Sequence, residues 1–215
     1  MMKKAVIFDM DGLMIDSERV TYRCYREVMG EMNYDISLDF YTTLLGKNVA
    51  WATEKFAQAY GKDFPFPEVL KNVHIRMNDI FETEGVPVKK GLVELLDYLK
   101  TNNYKTIIAS SSSRNRVLHI TEMAGILKYF DDAICGDEVT QSKPHPEIFL
   151  NACKKLGVEP SEALVLEDSE AGILAAHNAA IKVICIVDMK YPDKEYEEKT
   201  YQILESLDQV IDLLK

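Results

Sequence analysis

Short apolar runs rich in β-branched residues recur along the chain, at Ala5–Phe8, Lys105–Ala109, Ala133–Cys135, Ala163–Leu166 and Lys182–Val187. Runs of this kind, bounded by turn residues, read as strands buried on both faces. Between and after them, apolar residues spaced three and four apart predict helices over Ser113–Leu127, Pro146–Leu156, Ser169–Ala180 and Leu207–Leu214. Strands alternating with helices predict an α/β fold, a doubly wound parallel sheet of Rossmann-like form with helices on both faces. The first strand is separated from the second by far more chain than one crossover helix needs. Within that stretch Thr21–Met29, Trp51–Tyr60 and Pro67–Phe81 carry helical spacing, and Gly85-Val86-Pro87-Val88-Lys89-Lys90-Gly91 reads as a hinge that returns the chain. The expected organisation is an α/β core of residues 1–15 and 86–215 interrupted by an all-helical domain of residues 16–85. Pro192–Lys199, rich in acidic residues and lysine, reads as an exposed loop.

Composition narrows the function classes. A chain of 215 residues can bury a sizeable core, and 47% hydrophobic with 28% charged residues is ordinary for a globular protein. A formal net charge of -10 argues against a nucleic-acid partner, which calls for a basic excess. Cys24, Cys135, Cys153 and Cys185 show no Cys-x-x-Cys spacing, and two of them sit inside apolar runs, so they read as reduced core thiols. Met1-Met2-Lys3-Lys4 leads into an apolar run too short for a signal peptide, and no stretch approaches the ~20 apolar residues of a membrane span. The expectation is a cytoplasmic protein with no membrane partner, and a monomer by default.

The first strand ends in Asp9-Met10-Asp11-Gly12. Residues two apart on extended chain project to the same side, so two carboxylates meet at a strand end, where a cation or a shared proton must relieve their repulsion. A solvated Asp-x-Asp-Gly turn is an equally ordinary origin for such a motif. In open parallel sheets ligands bind beyond the carboxyl ends of the strands. The second run is followed there by Ser110-Ser111-Ser112-Ser113 beside Arg114. The third is followed by Gly136-Asp137-Glu138 and then Ser142-Lys143-Pro144-His145-Pro146, and the fourth by Glu167-Asp168-Ser169. Taken singly, Ser112 and Ser113 read as turn and N-cap residues, Ser113-Arg114-Asn115-Arg116 as a solvated helix start, and Lys143 as an exposed lysine. Glu167-Asp168-Ser169 alone would cap the helix that follows it. Taken together they are the groups that a phosphate and a metal ion need.

In order and at every motif, this constellation resembles the haloacid dehalogenase superfamily. Asp9-Met10-Asp11-Gly12-Leu13 resembles its first motif, Ser110 after Thr106-Ile107-Ile108-Ala109 its second, Lys143 in Ser142-Lys143-Pro144 its third, and Glu167-Asp168 its fourth. The helical insertion resembles the cap of its subfamily I, which can close over the site as a lid. Asp16-Ser17-Glu18 and Lys143-Pro144-His145-Pro146 are similar to the branch of β-phosphoglucomutases and small phosphosugar phosphatases.

The resemblance implies Asp9 as nucleophile, Asp11 as general acid and base, and Ser110 and Lys143 as holders of the phosphoryl oxygens. It also implies a magnesium ion on Asp9, the Asp11 carbonyl and Asp168, with Glu167 acting through a bound water. Ser111, Arg114 and, from the insertion, Lys47 are the expected contacts of a small phosphorylated metabolite. Dehalogenases of the superfamily lack an aspartate where Asp11 stands, which favours phosphoryl transfer. β-Phosphoglucomutases carry a histidine where Thr21 stands and an arginine in the loop that reads here Gly46-Lys47-Asn48-Val49. The expected activity is therefore a magnesium-dependent phosphatase, with a phosphomutase as the alternative. A non-enzymatic receiver-type domain also joins an aspartate, a hydroxyl and a lysine on a parallel sheet, but it has no helical insertion and carries its phospho-acceptor in mid-chain.

Overall fold

In the computed structural model, which describes residues 3–215, six strands form one sheet: β1 (Ala5–Phe8), β2 (Lys105–Ser110), β3 (Asp132–Cys135), β4 (Ala163–Glu167), β5 (Lys182–Ile186) and β6 (Gln202–Leu204). Their order is β3-β2-β1-β4-β5-β6, and every neighbouring pair is parallel. The chain builds outward from β1 through β2 to β3, then crosses back to lay β4 against the other side of β1. That reversal makes the β1–β4 boundary the switch point, where an open sheet leaves a crevice at its carboxyl edge. Phe8 lies opposite Leu166 of β4 and Ile108 of β2, so Asp9, Glu167 and Ser110 emerge along one edge.

Ala5 and Ile7 alternate in direction with Val6 and Phe8, yet all four are fully buried, so both faces of β1 are covered. Ile7, Ile107, Val165 and Val183 share one apolar core with Phe149 and Ile148 of α7 (Glu147–Leu156) and Ile173 of α8 (Glu170–Asn178). The remaining helices of this unit are α5 (Leu92–Thr101), α6 (Arg114–Met123), α9 (Lys194–Glu197) and α10 (Val210–Leu214). All four cysteines are free thiols and buried.

The fold divides into two compact units, one of Met1–Asp16 with Val86–Lys215 and one of Ser17–Gly85. The strands of chain that leave and re-enter the sheet unit run side by side: Asp16 N–H donates to Pro87 O (2.8 Å) and Lys89 N–H to Met14 O (2.9 Å). Lys89 Nζ is anchored on Asp188 Oδ1 at 2.5 Å just beyond β5. The second unit holds α1 (Ser17–Glu31), α2 (Leu38–Thr42), α3 (Val49–Tyr60) and α4 (Phe66–Glu84). It has its own aromatic centre, where Phe56 stacks on Phe66 at 4.5 Å, Phe64 at 5.3 Å and Tyr25 at 5.7 Å between centroids.

Several elements depart from the sequence expectation. Gln202–Leu204 forms an edge strand too short to carry a period. The segment Pro192–Lys199 contains α9 rather than loop alone. The helix expected to reach Leu127 stops at Met123, because Gly125 takes φ +71 and the chain re-forms only one tight turn at Leu127–Tyr129. Among the described residues no helix is long and apolar enough to cross a membrane.

Candidate active site

Lys143 gathers the centre of the site. Its ammonium, 5% exposed, donates to Asp9 Oδ1 at 2.5 Å, Glu167 Oε1 at 2.7 Å and Ala109 O at 3.0 Å. These three bonds use all of its donors, and the Phe149 ring lies 5.0 Å from the nitrogen. Asp9 continues β1, its N–H bonded to Leu166 O, so its carboxylate is carried by the sheet itself. Glu167 is fully buried at the end of β4. Its second oxygen accepts from Asp168 N (3.0 Å), Ser169 N (2.9 Å) and Ser169 Oγ (2.9 Å). Ser169 Oγ in turn accepts from Gly172 N and caps α8. Glu167 thereby joins the turn after β4 to Lys143.

Burial is the largest influence on the Asp9 carboxyl and pushes it up to about 7; Glu167 adds to the rise and Lys143 opposes it. Burial also works against the Lys143 ammonium, but Asp9 and Glu167 outweigh it and hold the lysine above its ordinary value. Two carboxylates thus share one cation in a buried space.

Asp9, Glu167 and Asp168 each offer an oxygen within 4.8 Å of the others. An all-carboxylate set suits a hard divalent ion such as Mg2+ and not zinc, which prefers nitrogen and sulfur. Gly12 takes φ +81, and a Cβ at that position would strike the Asp168 carboxylate, so glycine permits both the turn and the close approach of Asp168. A second acidic group, Cys135, Asp137 and Glu138, is accounted for by helix-start bonding: Glu138 accepts from Cys135 N and Arg114, and Asp137 from Arg114 N.

Asp11 faces the start of α6. Arg116 binds it through both guanidinium nitrogens, Nη1 to Oδ2 at 2.9 Å and Nη2 to Oδ1 at 3.1 Å. Ser112 Oγ donates to the same Oδ2 at 3.0 Å and accepts from Arg116 Nη1 at 3.0 Å. Ser110 is buried, its hydroxyl accepting from Ser112 N at 3.1 Å, whereas Ser111 is exposed.

One of the expected substrate contacts serves another part of the sheet unit. Arg114 turns its guanidinium onto Asp132 Oδ1, Glu138 Oε2 and Ala133 O, each at 3.0 Å, so it serves the β3 side of the sheet. Positions two apart on a helix point to nearly opposite sides, which is why Arg116 reaches the acidic cluster and Arg114 does not. Lys47 lies exposed in the turn between α2 and α3 of the helical unit. Arg116 and Ser112 are the members that sequence reading missed. The signal for Arg116 lay in α6, whose first turn holds two arginines and no acid although a helix N-terminus disfavours cations.

A haloacid dehalogenase-like hydrolase family model matches residues 6–186. The chain is 30% identical over 181 residues to a phosphorylated carbohydrates phosphatase of Thermotoga maritima, covering 84% of this chain and 83% of that protein. It is also 30% identical over 184 residues to hexitol phosphatase B of Escherichia coli, covering 85% and 82%. Among solved structures, a β-phosphoglucomutase of Clostridium difficile superposes with a TM-score of 0.74 at 25% identity over 97% of this chain and 93% of its own. With the motif residues standing at successive strand ends of a parallel sheet, these matches establish that the chain is an enzyme belonging to the haloacid dehalogenase-like hydrolase family, in its phosphatase and β-phosphoglucomutase-like branch.

Proposed function

We propose that the protein is a magnesium-dependent phosphatase acting on a small phosphomonoester, a sugar phosphate or related metabolite, through an aspartyl-phosphate on Asp9. The observation that carries this reading is the Lys143 bridge from Asp9 to Glu167, which places a buried cation beside a carboxylate at the switch point of the sheet.

Asp9 attacks the phosphorus, and the ester oxygen departs with a proton from Asp11. Asp11, now a carboxylate, takes a proton from water, which attacks the phosphorus of the acyl phosphate and returns Asp9 with release of inorganic phosphate. Ser110 and Lys143, the latter by exchanging one of its three bonds, hold phosphoryl oxygens, and Lys143 stabilises the charge that builds around Asp9. Asp9, Asp168 and the Asp11 carbonyl would hold a Mg2+ ion, with Glu167 acting through a bound water, and the ion would supply neutralisation of phosphoryl charge. Asp11 itself supports phosphate esters as substrates, because an alcohol leaving group needs an acid and a halide does not. We assign residues 17–85, inserted directly after the Asp9–Asp11 turn, to choosing among esters; sugar and hexitol phosphates are favoured by the names of the relatives.

The test is phosphate release from a panel of sugar, hexitol and nucleotide monophosphates with Mg2+ and with EDTA, wild type beside Asp9→Asn. Release that requires both Mg2+ and Asp9 is the expected result. Near-full turnover by Asp9→Asn sinks the mechanism. Isomerisation of hexose 1-phosphates without net release would instead assign a phosphomutase, in which the sugar rather than water accepts the phosphoryl group.

A further inference from the structure

We infer that Arg116 is a positioning residue for Asp11, with Ser112 as the third point of its hold; the inference rests on Asp11 being the acid–base group proposed above. Arg116 is the third residue of α6, at the end where unpaired N–H groups favour anions and disfavour cations. A charge placed against that field implies a partner. The partner of Arg114 is the Asp132 and Glu138 pair, which fastens α6 to β3. Arg116 is bound instead to Asp11, far away in sequence, and to Ser112.

The geometry is that of a clamp. A guanidinium bonded through two nitrogens to the two oxygens of one carboxylate fixes the plane of that carboxylate as well as its position. Ser112 adds a bond to Oδ2, and its own backbone is held by the Ser110 hydroxyl. The chain of contacts runs Ser110, Ser112, Asp11, Arg116, so the residue proposed to hold phosphate is linked to the residue proposed to move protons. Asp11 sits on a turn beyond β1, where a free aspartate would sample several rotamers. Proton transfer demands hydrogen-bond reach of the ester oxygen, and a displacement of about 1 Å costs on the order of 100-fold. Arg116 therefore acts on catalysis without touching the substrate.

The experiment compares wild type, Arg116→Ala, Arg116→Lys, Asp11→Asn and the Arg116→Ala/Asp11→Asn pair, with Mg2+, on p-nitrophenyl phosphate and on the best alkyl phosphate of the panel. Arg116→Ala is expected to lower kcat about 10-fold or more on the alkyl ester with KM held within about 2-fold. On p-nitrophenyl phosphate, whose leaving group needs little protonation, the loss shrinks to about 3-fold or less. Arg116→Lys falls between, since a point charge keeps attraction but not the fork. In the Asp11→Asn background, removing Arg116 costs less than about 2-fold more, because the group it positions is already gone. Equal losses on both esters, or losses that multiply across the two sites, overturn the inference and leave Arg116 as structural support. A KM increase that persists in Asp11→Asn overturns it in favour of direct substrate binding. Silence of the wild type on every ester overturns the phosphatase reading and this inference together.

Discussion

With one ammonium between them, Asp9 and Glu167 cannot both ionise without leaving net negative charge in a buried space. Folding lifts the Asp9 carboxyl from an unfolded value of 3.8 to about 7. The fold therefore penalises its ionised form: the penalty is absent below about pH 4, grows as pH rises through the folded value near 7, and is constant above it. Asp9→Asn removes it. In EDTA at pH 8 the variant is expected to melt higher than wild type, by about 2–4 °C for each kcal/mol relieved in a chain of this size, with the difference closing toward pH 4. Saturating Mg2+ reverses the sign, since wild type then gains an ion that the amide of the variant holds less well. A lower melting temperature for the variant in EDTA at pH 8 would mean that Lys143 compensates Asp9 in full. Such residues are legible in sequence because each terminates an apolar run, and strand ends on one edge must converge. Arg116 is not, because its partner lies 105 positions away and only the packing of α6 reveals which of two arginines points inward.

At the level of elements, the turn after β4 and the start of α8 form one device built around glycine. Gly172 sits in the first turn of α8, and a Cβ there would overlap the Glu167 carboxylate. In an ordinary helix, Gly→Ala adds up to about 1 kcal/mol of stability. At Gly172 the sign is expected to invert: the alanine methyl displaces a fully buried carboxylate from Lys143 and from the Ser169 cap, lowering both melting temperature and Mg2+-dependent turnover. Gly30 in α1, whose Cβ would meet nothing within 4 Å, is the control, and Gly30→Ala should leave both properties unchanged or raise stability. Equal behaviour of the two variants would show that Glu167 is free to move. Sequence periodicity finds the central strands within a residue or so, because β1, β2, β4 and β5 are continuous apolar runs. It passes over β6, of three residues, and α2, of five, because neither completes enough repeats to show a period. The helix α5, with Leu92, Leu95, Leu96 and Leu99 buried, carries a full amphipathic pattern and is obscured by its position directly behind the hinge.

The whole molecule contains two hydrophobic centres, the apolar layers around the sheet and the aromatic cluster around Phe56 in residues 17–85. A divalent ion held at the Asp9, Glu167 and Asp168 cluster would involve only the first of these, since all three residues lie in the sheet unit. Ligand linkage then dictates where stabilisation appears: an ion at 100 times its dissociation constant adds about 2.7 kcal/mol to the unit that binds it. Scanning calorimetry with and without Mg2+ is expected to show that gain in the unfolding of the sheet unit, and Asp168→Asn is expected to abolish most of it. Phe56→Ala acts on the other centre, where removal of a buried aromatic costs about 3–5 kcal/mol. Its effect on the helical unit should leave the Mg2+ increment of the sheet unit intact. An increment that survives Asp168→Asn would move the ion to another set of oxygens, with Asp137 and Glu138 beside Cys135 as the next candidates. An increment lost in Phe56→Ala would show that ion binding depends on the packing of the helical unit, and the assignment of ester choice to residues 17–85 would then have to be tested in variants that leave Phe56 in place.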